Sequence, residues 1–230
     1  MAESTRKLAA IMFTDIVGYS KLVQKDEEKA LDLLDDHNNI VRPVLAEYGG
    51  EEIKTIGDAF LIQFDSTLKA VDCALEIQKK MVAHNAVQAE DDRFKIRIGI
   101  HLGDIIFKDG DVFGDGVNIA SRIEGICIEG GIAISDAVYK QLNNKVQLYT
   151  IDMGFVKLKN ISNPIKVHSI YLNKKSQHTK EDLVKLQISR GFNIVDIKDY
   201  QIQDTHSLGV LYLKNISDTS NEIFSKNLSE

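Results

Sequence analysis

The chain is too poor in cysteine for a disulfide framework. Its 230 residues include two, Cys73 and Cys127, each among apolar neighbours. They read as small core residues, not as bridge partners or metal ligands. No apolar run approaches the ~20 residues a membrane-spanning helix needs. The run Leu8-Ala9-Ala10-Ile11-Met12-Phe13 follows Arg6 and Lys7 but ends at Thr14-Asp15 without a cleavage pattern. It is too short for a signal segment and reads as a buried strand. The expected location is cytoplasmic, with no membrane contact. Basic residues are also in deficit: 28 Lys and Arg against 34 Asp and Glu, a formal net charge of −6. That balance argues against non-specific nucleic-acid binding, which Lys and Arg drive. It leaves room for a small basic pocket facing a phosphorylated ligand.

What is present suits a globular domain. Hydrophobic residues make up 43% of the chain, enough for one good core and a second small piece. Residues 7–14 read as a strand, followed by a loop from Asp15 to Ser20. Leu31, Leu34, Val41, Val44, Leu45 and Tyr48 recur at helical spacing, which predicts a helix from Asp26 to Tyr48, stopped by Gly49-Gly50. Strands are expected over 51–56 and 59–64 around a Gly57-Asp58 turn, then a helix over 66–84. Phe94, Ile96, Ile98 and Ile100 alternate with polar or small residues, the strand period. Gly103-Asp104 reads as a turn before a short strand at 105–108 and a tight turn at Asp109-Gly110. A helix over 115–126 follows, then a strand at 131–134, a helix at 135–142 and strands near 146–151, 154–159 and 165–172. The opening order β-α-β-β-α-β predicts an α+β fold with a ferredoxin-like core and additional C-terminal strands and helix. Residues 173–182 are polar and read as a linker. Residues 183–230, with a helix and strands at 192–197 and 208–213, read as a C-terminal segment that begins a further, fused domain.

Two aspartates stand where chemistry could use them. Asp15 ends a buried strand and Asp58 sits in a turn between two apolar strands. Carboxylates so placed can hold hard cations by oxygen. The backbone of Ile16, Val17, Gly18, Tyr19 and Ser20 could cradle a triphosphate. For each aspartate taken alone, a helix cap or a turn residue is the favoured explanation. The segment Asp111 to Arg122 adds weight, because Asn118 and Arg122 are four apart and share a helix face. Arg122 could neutralise charge growing on a phosphate and Asn118 could orient a sugar.

Four motifs occur in order: Phe-Thr-Asp-Ile-Val-Gly-Tyr-Ser at 13–20, Lys-Thr-Ile-Gly-Asp-Ala-Phe at 54–60, Arg-Ile-Gly-Ile-His-Leu-Gly at 97–103 and the segment 111–122. Together they resemble the class III adenylyl and guanylyl cyclase catalytic domains, over about Lys7 to Leu172. The Gly103–Asp111 connection is short, as in the bacterial adenylate cyclase subclass with a shortened dimerisation arm. The resemblance implies conversion of ATP to cyclic AMP with two divalent ions, Mg²⁺ or Mn²⁺. It implies Asp15 and Asp58 as metal ligands, Lys54 and Asp111 as the base-reading pair, and Asn118 and Arg122 as ribose-orienting and transition-state residues. Arg97 and Lys159 are implied as phosphate ligands. It also implies a head-to-tail homodimer in which each site draws on both chains. A catalytically silent regulatory domain and a guanylate cyclase are the alternatives. The complete set of eight residues opposes the first, and Lys54 with Asp111 opposes the second.

Three further groups are set aside. Gly49-Gly50-Glu51-Glu52-Ile53 resembles a diguanylate cyclase turn, but here the glycine pair closes a helix. His101 reads as a local hydrogen-bonding residue. His37 reads as solvated.

Overall fold

The computed structural model describes residues 5–142, 148–172 and 178–195. Strand β1 (Thr5–Ile16) is followed by helices α1 (Tyr19–Lys25) and α2 (Glu27–Tyr48). The hairpin β2 (Glu51–Ile56) and β3 (Ala59–Phe64) leads to α3 (Thr67–Val87), then to β4 (Ile96–Lys108) and β5 (Asp111–Phe113). Helix α4 (Asp115–Ile126), β6 (Ile132–Ser135), α5 (Asp136–Leu142), β7 (Tyr149–Lys157) and β8 (Ile165–Tyr171) follow. Helix α6 (Lys180–Ser189) and β9 (Asn193–Val195) complete the described chain.

These strands form one sheet in the order β2-β3-β1-β4-β6-β8-β7-β9, with β5 paired to β4. Each neighbouring pair among the first four strands is antiparallel, as a βαββαβ core requires. Strand β6 joins β4 in parallel and extends the sheet. The expected fold class is therefore the observed one.

Alternation in β1 assigns the two faces of the sheet. Ala10, Met12 and Ile16 enter the main core with α2, α3 and α5, whereas Ala9, Ile11 and Phe13 pack with Leu61, Ile105, Val112 and Ala120 of α4. Helix α2 starts where the Asp26 side chain accepts from the Lys29 amide and ends at Gly49 in the left-handed region. His37, expected to be solvated, is instead fully buried between Phe60 and Phe94, and neither of its ring nitrogens has a hydrogen-bond partner. Burial pushes it down to about 4, so it packs as a neutral ring. Leu31 is exposed and Leu33 takes the buried position.

Strand β4 runs unbroken through Gly103-Asp104, where the sequence suggested a turn. The glycines serve packing instead. A Cβ on Gly103 would lie 3.1 Å from the Cα of Gly116, and one on Gly99 would lie 2.2 Å from the Glu124 backbone nitrogen. Helix α4 lies against β4 because these positions have no side chain. Gly99→Ala must push α4 off the sheet. The expected cost is about 1–3 kcal/mol, a fall of several degrees in Tm by calorimetry.

The chain beyond β8 also differs from expectation. The two strands foreseen over 146–159 are one strand, β7, with an irregularity between Asp152 and Gly154. Helix α6 starts inside the expected linker, capped by a reciprocal Thr179–Asp182 pair. Strand β9 pairs with β7, and Leu183 is fully buried with Ile123, Ile126, Met153 and Val156. The compact unit thus continues through this segment instead of ending at 172. Residues 173–177 of the expected linker and the strand foreseen at 208–213 lie outside the described residues. No helix among the described residues is long and apolar enough to cross a membrane.

Candidate active site

Asp15 continues the row Ala9-Ile11-Phe13 on the α4 face of the sheet, directly opposite Arg97 on β4. The two side chains form an ion pair. The Arg97 Nε lies 2.9 Å from Glu124 Oε1 of α4, an ion pair without hydrogen-bond alignment. Burial pushes the Glu124 carboxyl up to about 7, with Arg97 opposing and Asp15 adding to the rise. The sequence reading missed Glu124. The signal was helical spacing: it lies one turn beyond buried Ala120, on the side of α4 that meets the sheet.

Asp58 occupies the β2–β3 turn after Gly57, whose φ of 65° suits the first position of a two-residue hairpin loop. Only 9% of Asp58 is exposed, and its Oδ2 accepts from the Ile16 amide at 2.8 Å. Burial raises its carboxyl to about 6; the Ile16 bond opposes that rise and neighbouring Asp15 reinforces it. The fold therefore holds two carboxylates side by side against their mutual repulsion, with a cationic Arg97 already drawn in. A divalent ion fits such a pair. Mg²⁺ in particular needs only one or two carboxylates when substrate phosphates and water fill its other positions. No cluster of three or more His, Cys, Asp or Glu side chains suited to a metal occurs among the described residues.

Two of the five amides of the expected cradle have partners within the protein. The Ile16 amide is taken by Asp58 and the Val17 amide by the Lys95 carbonyl at 2.9 Å. Gly18, in the left-handed region, opens α1, so the amides of Gly18, Tyr19 and Ser20 are those with no carbonyl behind them in the helix. Helix α1 itself was not expected.

Lys54 of β2 and Asp111 of β5 are joined by a 2.6 Å ion pair, and Lys54 with the Val112 amide holds the Asp111 carboxyl low. Asn118 and Arg122 project from the exposed side of α4, opposite the buried row Gly116, Ala120 and Ile123. Among the described residues neither has a side-chain hydrogen bond or ion pair. Lys159 is exposed in the turn after β7, not within a strand as foreseen. His101 lies inside β4 and meets Ser135 Oγ at 2.9 Å, a local bond as expected.

The structure thus gathers Asp15, Asp58 and Arg97 at one end of β1, β3 and β4, couples Lys54 to Asp111, and turns Asn118 and Arg122 outward. The adenylate and guanylate cyclase catalytic domain family matches residues 1–174. The chain belongs to this family of nucleotide cyclase domains. It is 39% identical over 163 residues to a protein provisionally named adenylate cyclase 3 in Rhizobium meliloti (strain 1021), covering 70% of this chain and 28% of that protein. An adenylate cyclase of Streptomyces coelicolor is 31% identical over 61% of this chain and 35% of its own length. The chain therefore spans well under half the length of these curated relatives. The crystal structure of an adenylate/guanylate cyclase/hydrolase from Silicibacter pomeroyi superposes with a TM-score of 0.70 at 38% identity, over 74% of this chain and all of that one.

Proposed function

We propose that the chain converts ATP to 3′,5′-cyclic AMP and pyrophosphate as a head-to-tail homodimer with two divalent cations, Mg²⁺ or Mn²⁺, per site. The observation that carries this reading is the adjacent, mutually strained carboxylate pair Asp15 and Asp58. In the head-to-tail dimer the other groups the reaction needs would come from both chains. The ribose 3′-oxygen forms a bond to the α-phosphorus, the bond from that phosphorus to pyrophosphate breaks, and the hydroxyl proton passes to solvent. Asp15 and Asp58 would hold the cations, which supply Lewis acidity toward the hydroxyl and phosphate oxygens when bound. Arg97 and Lys159, with the Gly18–Ser20 amides, would bind the phosphates. Asn118 would orient the ribose, and Arg122 would offset charge growing at the reacting phosphate. Bonds of that last kind are often worth about 10²–10³ in rate.

Base choice follows from hydrogen-bond polarity. Lys54 only donates, and ionised Asp111 only accepts. Adenine offers an amine donor beside a ring-nitrogen acceptor, and guanine reverses both. Sites built on such bonds discriminate by on the order of 10⁴. The test is an assay for cyclic AMP and cyclic GMP with Mg²⁺ or Mn²⁺ present. Cyclic AMP should dominate in wild type, and Lys54→Glu with Asp111→Cys should lose the preference for ATP. Comparable turnover of GTP by the wild type would contradict the assignment.

A further inference from the structure

Helix α4 carries Asn118 and Arg122, and its own C-terminal cap, the Cys127 amide, reaches only the Ile123 and Glu124 carbonyls. Its last turn contains no basic residue, and no glycine takes the left-handed cap; Cys127 follows with φ −56° and ψ 141°. The Gly125, Ile126 and Cys127 carbonyls are satisfied from more than 60 residues away. Gln187 Nε2 donates to Ile126 O at 2.7 Å. Arg190 Nη1 donates to Ile126 O and Cys127 O at 3.1 Å each, and its Nη2 donates to Gly125 O at 2.7 Å. A cation there also opposes the negative end of the helix dipole. Arg190 keeps an edge in solvent, which screens that charge, so the hydrogen bonds matter more than the dipole.

The group making these bonds is itself anchored. Gln187 is fully buried, and its Oε1 accepts from Arg190 Nη1 at 3.3 Å. Leu183 is fully buried beside Ile123 and Ile126 of α4. Strand β9 hydrogen-bonds to β7. The match to the cyclase family ends at residue 174, before α6 begins, so this anchor is an addition to the matched domain.

We propose that α6 and β9 clasp the C-terminal end of α4, and that Arg190 is a positioning residue for Asn118 and Arg122. This rests on the cyclase reading above. Arg122 lies three residues before Gly125, within one turn of the clasped end. Glu124, in the same turn, contacts Arg97, which pairs with Asp15. Loosening the clasp therefore disturbs the outward-facing residues first and the carboxylate end of the site through Glu124. Displacements near 1 Å suffice to cost up to about 100-fold in rate.

The experiment compares full-length wild type, Arg190→Ala, Arg190→Lys and the control Ile77→Val, whose side chain lies in the core on the opposite sheet face. Arg190→Ala should lower kcat for ATP roughly 10- to 100-fold with KM changed by less than about twofold. Arg190→Lys should recover part of the loss. Ile77→Val should lower Tm without lowering kcat. Hydrogen exchange without substrate should show α4 amides exchanging faster in Arg190→Ala and α3 amides unchanged. Unchanged kcat and unchanged α4 exchange in a folded Arg190→Ala would overturn the proposal. So would an equal kcat loss in the control. If Arg190→Ala does not fold, Gln187→Ala replaces it, with the same two readouts and the same overturning result. An inactive wild type would instead remove the cyclase reading, and α4 exchange would still decide whether the clasp exists.

Discussion

Asp58→Asn is expected to abolish turnover while leaving the metal-free protein at least as stable as wild type. The amide oxygen of Asn can still accept from the Ile16 backbone N–H, the bond Asp58 makes at 2.8 Å. What disappears is a buried negative charge beside Asp15. The folded protein raises the Asp58 carboxyl from 3.8 to about 6, through burial and the neighbouring Asp15 charge, against the opposing Ile16 bond. The folded state therefore holds this proton better than the unfolded state. Stability from it is complete below pH 3.8 and is lost as pH rises through about 6. The Asn variant carries no such loss, so without metal at pH 7.5 it should melt at or above the wild-type temperature. Added Mg²⁺ or Mn²⁺ should raise the wild-type Tm and leave that of Asp58→Asn unmoved. Activity should fall by more than about 100-fold, since losing even a partner behind a metal ligand costs up to that much. A folded Asp58→Asn protein with wild-type turnover would remove the two-carboxylate assignment.

The sequence showed those parts of the fold that rest on local periodicity. The bounds of α4 and of the β2–β3 hairpin follow from apolar spacing and a Gly-Asp turn, and both were foreseen to the residue. Long-range packing misled elsewhere. Gly103 carries a turn signal only if the helix lying against it is ignored. Helix α1 has seven residues, too few to display a helical period. The stretch 178–182 reads as a polar linker by composition, although Thr179 and Asp182 stand at capping-box spacing. His37 sits in a run of polar residues, yet helix α2 turns it onto the core.

The candidate site divides in the same way. A strand end and a turn located Asp15 and Asp58, because a carboxylate at either place can face a cleft. Nothing local indicated that Asp58 and the Lys95 carbonyl occupy the Ile16 and Val17 amides, since those partners lie 42 and 78 positions away in the chain. Glu124 was hidden for a related reason. Its contact is Arg97 on β4, and only the packing of α4 across Gly99 brings the two together.

Mixing two inactive variants, Asp58→Asn and Arg122→Ala, should restore activity. Within one chain Arg122 and Asn118 face away from the sheet, while Asp15, Asp58 and Arg97 lie at the strand ends beneath and beside α4. A side chain on the outer face of α4 is turned away from the carboxylates of its own chain and presented to whatever packs on that face. In a head-to-tail pair that neighbour is the second copy, and two equivalent sites form about a two-fold axis. Each would take Asp15, Asp58 and Arg97 from one protomer, and Lys54, Asp111, Asn118, Arg122 and Lys159 from its partner. A mixed dimer then collects both lesions in one site and leaves the other intact. With free exchange at equal concentrations, half the dimers are mixed and each keeps one of two sites, so activity should recover to roughly a quarter of wild type. Recovery should follow subunit exchange in time and fall on dilution if the dimer is weak. If mixed dimers form, as shown by two affinity tags recovered together, and activity stays at the level of the separate variants, the composite site is wrong for this protein.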